Sequence, residues 1–178
     1  GIWHLNPPSG IAHGIKIDSR DLDKDNIFVA LRGMRSDGHD FVSQLDATDI
    51  FAAIVEHAVA NTEVSQLVVP DALVALQMLA QSCALRTPAT KLAITGSVGK
   101  TGTKEMLAHL LSSAGQTHAT KGNLNNHIGM PLTLANTPQD TDYLVVEMGM
   151  NHAGEIADLT EIMLPHIAAI TCISDTHS

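Results

Sequence analysis

Residues 91–104, KLAITGSVGKTGTK, combine an apolar run with a glycine-rich turn. The first five residues form an apolar run typical of a strand, and residues 100–114 carry apolar side chains at helical spacing. A strand that ends in a glycine-rich turn and opens a helix gathers backbone N–H groups and the positive end of the helix dipole around one point. Such a point binds anions, so the sequence predicts a phosphate-binding loop between the strand and the helix.

The spacing of this loop is unusual. The common pattern G-x-x-x-x-G-K-[ST] requires a glycine five positions before the second glycine, and that position is Ile94 here. The mechanism survives the shortening: Lys100 can place its charge on the β- and γ-phosphates, and Thr101 can offer its hydroxyl to Mg²⁺. An ordinary strand-to-helix turn is the alternative. We predict that the nucleotide phosphates are bound by Gly96, Ser97, Val98, Gly99, Lys100, Thr101 and Gly102.

A magnesium-nucleotide site also needs an acidic residue. Glu147 lies at the end of the apolar run YLVVEM, residues 143–148, which predicts a second strand. Ligands of open α/β sheets bind at the carboxyl ends of the strands. A strand-end acid is common, but beside a phosphate-binding loop we expect Glu147 to bind Mg²⁺.

The pattern of apolar runs predicts two domains. Predicted strands at 27–31, 52–56 and 67–69, a helix at 71–86 and a linker at 86–90 indicate a small α/β domain over residues 1–88. From residue 89 to 178, strands at 91–95, 116–120, 143–148 and 166–173 alternate with helices at 100–114 and 155–163. This alternation predicts a parallel sheet covered on both faces. Because the chain stops directly after a strand, we expect a fragment.

Composition excludes several classes of protein. The 19 acidic residues outnumber the 10 basic ones, giving a formal net charge of −9, which disfavours nucleic acid as a partner. Cys83 and Cys172 lie far apart and indicate a reducing compartment. The longest apolar stretch is too short and too polar to insert into a membrane. We expect a cytoplasmic monomer.

Several segments resemble the Mur ligases of peptidoglycan synthesis. Residues 95–107 (TGSVGKTGTKEML), 122–134 (GNLNNHIGMPLTL), 145–160 and 165–177 are similar to the central ATPase domain of that family. Residues 17–41 (IDSRDLDKDNIFVALRGMRSDGHDF) are similar to its amino-terminal UDP-binding domain. The shortened loop is the family's own form. Within the family, GNLNNHIG resembles the signature of the ligase that joins D-Ala-D-Ala to UDP-N-acetylmuramoyl-tripeptide.

The resemblance implies a fold and a reaction. The family has three domains, of which this chain would hold the first and part of the second, so we expect little activity from the chain alone. The reaction would be ATP-dependent amide formation with Mg²⁺: the terminal carboxylate of UDP-N-acetylmuramoyl-tripeptide is phosphorylated, and the amine of D-Ala-D-Ala attacks the acyl phosphate.

The resemblance also implies residue roles. Lys100, Glu147 and His177 would be catalytic, with Thr101, Glu147 and His177 as metal ligands. Asn123, Asn126, Asn151 and His152 would lie at the interface of substrate and nucleotide. Ser19, Arg20, Asp37 and His39 would lie near the UDP-sugar, although IDSRD and Asp37-Gly38 are also ordinary turn sequences.

The sequence departs from the family at Gly102, where a hydroxyl residue is usual, and at Cys172, where we expect Asn. Three alternatives stay open. One is a Mur ligase that adds a different residue. Another is a module that binds a UDP-sugar or nucleotide without turnover. The third, a P-loop kinase or switch NTPase, should show a full-length loop and a D-x-x-G element, and the sequence has neither.

Overall fold

The first structural unit, Gly1–Leu76, is built on a five-stranded sheet in the computed structural model, which describes residues 1–34 and 36–174. Its strands are β1 (Ile2–His4), β2 (Ile15–Lys16), β3 (Ile27–Val29), β4 (Ala52–Val55) and β5 (Gln66–Val68), in the spatial order β1-β5-β4-β3-β2. Strands β2 to β5 are parallel, and β1 lies antiparallel on the edge beside β5. A 3-10 helix (Ser19–Asp21) and helix α1 (His39–Val42) connect them.

The core of the first unit forms from apolar strand residues and the segments that cross them. It consists of Phe28, Ala30, Val42, Ile50, Ala53, Val55 and Val64, all buried. Gly38 explains how α1 packs here: a Cβ on it would lie 2.8 Å from Ala30 Cα, because the two backbones are in direct contact. The glycine is therefore required for space.

The second unit begins at Gln77, inside helix α2 (Ala72–Arg86). We predicted a division at residue 88 and a linker at 86–90. The connection between α2 and the next strand is shorter than the predicted linker and lies within the second unit: α2 continues to Arg86 and the strand begins at Thr90, so residues 87–89 join them, with Ala89 fully buried. The late part of α2 belongs to the second unit because Ala80 and Ala84 lie in its core.

The sheet of the second unit is parallel throughout. Its strands are β6 (Thr90–Thr95), β7 (Thr117–Ala119), β8 (Tyr143–Glu147) and β9 (Ile167–Ile170), in the order β7-β8-β6-β9. Helices α3 (Lys100–Leu111), α4 (Gly129–Ala135) and α5 (Glu155–Met163) connect them. The predicted α/β class with a parallel sheet is confirmed. Strand β6 lies between β8 and β9, so the chain runs to one side of it and then to the other, which is the switch point where such sheets bind ligands.

Side-chain alternation along the strands decides which groups face α3. Leu92, Ile94 and Val145 pack with α3 residues Leu107 and Leu111. The opposite face of the sheet packs against α2, α4 and α5. Because Glu147 pairs with Ile94 in the sheet register, its side chain shares the α3 face.

None of the helices in the described part of the chain has both the length and the apolar character needed to cross a bilayer.

Candidate active site

The predicted phosphate-binding loop, which we call the P-loop (residues 96–102), joins β6 to α3 as the sequence indicated. Gly96 and Gly99 have φ values of 136° and 82°, a region that favours glycine. A Cβ on Gly96 would also overlap the Thr171 hydroxyl and lie 2.9 Å from Cys172 O. The loop therefore depends on its glycines for both backbone conformation and space.

Strand β9 and the residues after it hold the P-loop in place. Thr171 Oγ1 donates to Val98 O at 2.6 Å, and Ser97 N donates to Cys172 O at 2.8 Å. Ser97 Oγ donates to Ser174 O at 3.1 Å. The loop is thus fixed by a neighbouring strand before any ligand arrives.

The interior of the P-loop presents donors without acceptors. The backbone N–H groups of residues 98–102 have no hydrogen-bond acceptor in the described part of the chain. Lys100 Nζ lies over the loop and donates to Gly96 O at 2.7 Å and Ser97 O at 3.3 Å. Thr101 is exposed at the start of α3. A ring of free amides with an ammonium group at its mouth fits a phosphate chain.

Glu147 lies at the carboxyl end of β8, and Met148 N beside it donates to Ile94 O at 2.9 Å, so β8 and β6 end together. The Glu147 side chain is only 1% exposed, yet its Oε2 has no hydrogen-bond partner within the residues described. An unpaired buried carboxylate oxygen is costly unless a cation binds it. This oxygen fits Mg²⁺, for which carboxylate and water oxygens are the usual ligands.

Two residues fix the rest of Glu147. Its backbone N–H donates to Thr120 Oγ1 at 3.0 Å, and its Oε1 accepts from Asn125 Nδ2 at 2.7 Å. No group of three or more His, Cys, Asp and Glu side chains able to hold a metal lies in residues 1–34 and 36–174. A metal bound here would therefore take its other ligands from phosphate, hydroxyl and water.

A buried lysine ties α3 to the segment that contains Thr120 and Asn125. Lys104 is fully buried, and its Nζ donates to Thr120 O at 2.8 Å and Gly122 O at 3.3 Å. Lys100 and Lys104 lie one turn apart on α3. The P-loop helix is therefore linked directly to the residues that hold Glu147.

The four residues predicted at the substrate–nucleotide interface have different surroundings. Asn126 Oδ1 accepts from Gly129 N at 2.8 Å and so caps α4. Asn123, Asn151 and His152 are exposed. The backbone N–H groups of Asn151 and His152 donate to Glu155 Oε2, at 2.7 and 3.2 Å, and lower the pKa of that carboxyl. Their exposed side chains stay candidates for substrate contact.

In the first unit, two of the predicted UDP-site residues belong to one turn. Arg20 donates to the Asp18 carboxylate through Nε at 2.9 Å and through its terminal nitrogen at 2.6 Å, which lowers the pKa of Asp18. Ser19 is half-buried in the 3-10 helix that Asp18 caps. The Arg20 side chain is 88% exposed, so it can exchange this partner for a ligand.

The other two, Asp37 and His39, form part of a closed cluster. Glu56 N donates to His39 Nε2 at 2.8 Å, so the proton lies on Nδ1, which donates to Asp37 Oδ1 at 2.5 Å. The His39 backbone N–H also donates to Asp37, and the pKa of Asp37 is lowered chiefly by that bond and then by the ring. The His39 ring is buried and stacks on His57 with centroids 4.4 Å apart. Both its nitrogens are occupied, so the geometry gives His39 a structural role.

The predicted metal ligand His177 lies outside the described residues. At Gly102 an added Cβ would meet no atom within 4 Å, so the hydroxyl residue usual in the family would fit there.

Sequence reasoning missed Asn125, Thr120, Lys104 and Thr171. Asn125 lies within the motif GNLNNHIG, but nothing in its spacing distinguishes it from its asparagine neighbours.

A parallel α/β sheet with a P-loop at its switch point and a buried acid at the next strand end defines a nucleotide-binding protein of the P-loop class. Residues 11–87 match the family described as "Mur ligase family, catalytic domain", and residues 94–178 match "Mur ligase middle domain". The chain belongs to the Mur ligase family.

Individual relatives agree with this membership. The UDP-N-acetylmuramoyl-tripeptide–D-alanyl-D-alanine ligase of Bacillus subtilis is 39% identical over 94% of this chain and 37% of its own length. A crystal structure of MurF from Acinetobacter baumannii superposes with a TM-score of 0.88 and 41% identity, over 96% of this chain and 38% of that one. MurF from Thermotoga maritima, solved in complex with ADP, has a TM-score of 0.81 and 32% identity, over 93% and 39%. The chain thus spans less than two-fifths of these relatives.

Proposed function

We propose that this chain supplies the first, UDP-substrate-binding domain and part of the ATP-binding domain of a ligase that joins D-Ala-D-Ala to UDP-N-acetylmuramoyl-tripeptide. The support for this choice of substrate is the name of the Bacillus relative, which shares 39% identity across nearly all of this chain. The support for ATP and Mg²⁺ is the buried Glu147 Oε2 next to the P-loop, since neither this oxygen nor the amides of residues 98–102 have a partner among the residues described.

The reaction requires activation of a carboxylate, which by itself has no leaving group. Transfer of the γ-phosphoryl group of ATP to the tripeptide carboxylate forms an acyl phosphate and ADP. The amine of D-Ala-D-Ala then attacks the carbonyl carbon, loses a proton and expels phosphate, leaving an amide. This chemistry is catalysed mainly by positioning and by neutralising negative charge.

The residues of this chain fit those tasks. The P-loop amides would hold the phosphates, and Lys100 would exchange Gly96 O and Ser97 O for the β- and γ-phosphate oxygens. Thr101 and Glu147 would hold Mg²⁺, which when bound neutralises part of the phosphate charge. The P-loop is already fixed by Thr171, so little order has to be gained on binding.

The experiment is a phosphate-release assay on the full-length protein that contains this chain. We expect release that requires ATP, Mg²⁺, UDP-N-acetylmuramoyl-tripeptide and D-Ala-D-Ala together, with UDP-N-acetylmuramoyl-dipeptide as the control substrate. Release that requires a single amino acid and the dipeptide would identify a different Mur ligase. Binding of the tripeptide without turnover by the full-length protein would identify a binding module.

We propose that the isolated chain has little or no turnover and that the full-length protein acts in the cytoplasm as a monomer. The same assay on the chain tests the first point, and rates near those of the full-length protein would overturn it.

A further inference from the structure

We propose that Asn125 is a positioning residue that orients Glu147 toward the magnesium ion of the nucleotide site. The inference rests on the proposed function for the presence of that ion. It concerns a residue to which the sequence assigned no role.

The contact occupies one of the two oxygens of the Glu147 carboxylate. Asn125 Nδ2 lies 2.7 Å from Glu147 Oε1, and because a carboxylate only accepts hydrogen bonds, the amide NH₂ must face it. The backbone of Glu147 is held by Thr120 Oγ1 at 3.0 Å. With main chain and one oxygen fixed, Oε2 has a defined direction, and it has no partner among residues 1–34 and 36–174. Such a carboxylate is prepared to bind a cation through one oxygen.

Asn125 is itself held in place by the end of β8. Its backbone O accepts from Gly149 N at 2.8 Å. A Cβ on Gly149 would lie 2.9 Å from both Cγ and Oδ1 of Asn125, so the amide is packed directly against this glycine. The end of β8 therefore both carries Glu147 and holds in place the residue that orients it.

The arrangement predicts an effect on the metal and none on the nucleotide alone. Partners that orient a metal ligand commonly contribute about 10–100-fold to metal affinity. Asn125 contacts Glu147 rather than the P-loop, whose hydrogen bonds run to Thr171 and the residues after it. Loss of the amide should weaken the part of ADP binding that depends on Mg²⁺.

The experiment measures ADP affinity of the full-length protein by calorimetry, once with saturating Mg²⁺ and once with EDTA. The ratio of the two affinities is the magnesium increment. We expect Glu147→Gln to abolish the increment and Asn125→Ala to reduce it about 10–100-fold, with ADP affinity in EDTA unchanged. Asn136→Ala is the matched control. Asn136 is half-buried like Asn125, but its side-chain amide donates to a backbone carbonyl, Leu132 O at 2.8 Å, instead of to Glu147.

A second pair of variants displaces the amide without deleting it. Gly149→Ala should reproduce the loss seen in Asn125→Ala, because the added Cβ meets the Asn125 side chain. The double variant should be no weaker than Asn125→Ala alone, because the atoms that clash with the Cβ are then absent. If Asn125→Ala fails to fold, Gly149→Ala decides the question, since it retains every hydrogen-bonding group.

The outcomes separate this inference from the proposed function. If wild-type protein binds no ADP, or binds it equally with and without Mg²⁺, the proposed function fails. If wild type shows the increment, Glu147→Gln loses it and Asn125→Ala keeps it, the role of Asn125 is overturned while the function stands. Equal weakening of Asn125→Ala in EDTA and in Mg²⁺ would also overturn the positioning role, because Asn125 would then act on the fold of the site.

Discussion

Two polar clusters in this chain lie at the carboxyl ends of parallel strands, one in each unit. In the first unit, His39 has a partner at both ring nitrogens, and Glu56 accepts from Ala72 N and pairs with Arg32. In the second unit, Glu147 is buried as His39 is, but one of its oxygens has no partner in the part of the chain that the structure describes. A satisfied cluster stabilises the fold, whereas an unsatisfied one requires a ligand. From the sequence, both clusters were predicted to contact a ligand, and it is the hydrogen bonds that distinguish them.

Glu147→Gln in the full-length protein should produce the largest of the expected effects. We expect kcat for phosphate release to fall about 10²–10³-fold, the size of effect seen when one electrostatic group of an active site is removed. The midpoint of thermal unfolding should stay at or above that of wild type, because the variant removes a buried charge. A kcat close to wild type would mean that the unpaired oxygen has no catalytic partner.

In the first unit the expected effect is on stability. His39→Ala removes a buried ring and two hydrogen bonds, and should lower the free energy of unfolding by about 2–3 kcal/mol. Chemical denaturation measures this loss. The exposed stacking partner His57 provides the control, since His57→Ala should cost below about 1 kcal/mol. The ADP affinity should not change, and a large loss of ADP binding would contradict the structural role of His39.

Asp37→Asn should lower the stability of the first unit by an amount that depends on pH. Because the pKa of Asp37 is lowered in the folded state, its stabilisation is present above the ordinary value of 3.8 and is lost as pH falls through the lowered value. At pH 7 the variant should therefore be less stable than wild type by about 1 kcal/mol. The difference should shrink below pH 4 when denaturation is repeated across pH. A constant difference would show that Asp37 acts through packing.

The smallest expected effect is a gain in stability on substitution of Gly102. Gly102 is an exposed helical residue with no atom within 4 Å of an added Cβ, so Gly102→Ala should raise the free energy of unfolding by about 0.5–1 kcal/mol. ADP affinity should be retained. Gly96→Ala, in the same loop, should instead weaken ADP binding because of its positive φ and its contact with Thr171. Equal effects of the two variants would contradict the different roles of these glycines.

Local pattern was sufficient for part of this structure. The strand and helix around the P-loop, and β8 with its terminal acid, follow from apolar periodicity and glycine placement. Strand β1 could not be predicted in this way: it is exposed, three residues long and defined only by pairing with β5, far along the chain. Helix α4 is short and contains Pro131, which weakens its helical signal.

The candidate site also contains residues that local pattern predicts and residues that it does not. Lys100 and Glu147 could be predicted because each lies at the end of a secondary-structure element, where the sequence pattern locates it. Asn125 could not, because its contact with Glu147 depends on how a loop packs against Gly149. Asn126, one position later, turns its side chain to cap α4 instead. The choice between neighbouring asparagines is made by tertiary packing, which has no sequence period.

The hydrogen bonds between the P-loop and the residues that follow β9 have a consequence for folding during synthesis. Thr171 reaches Val98 across 73 residues, and Ser97 reaches Ser174 across 77. At a translation rate of about 5–20 residues per second, the loop leaves the ribosome about 4–15 s before the residues that fix it. For those seconds the phosphate loop of the nascent chain lacks the hydrogen-bond partners that hold it, so the loop reaches its fixed conformation only after the residues that follow β9 have been synthesised.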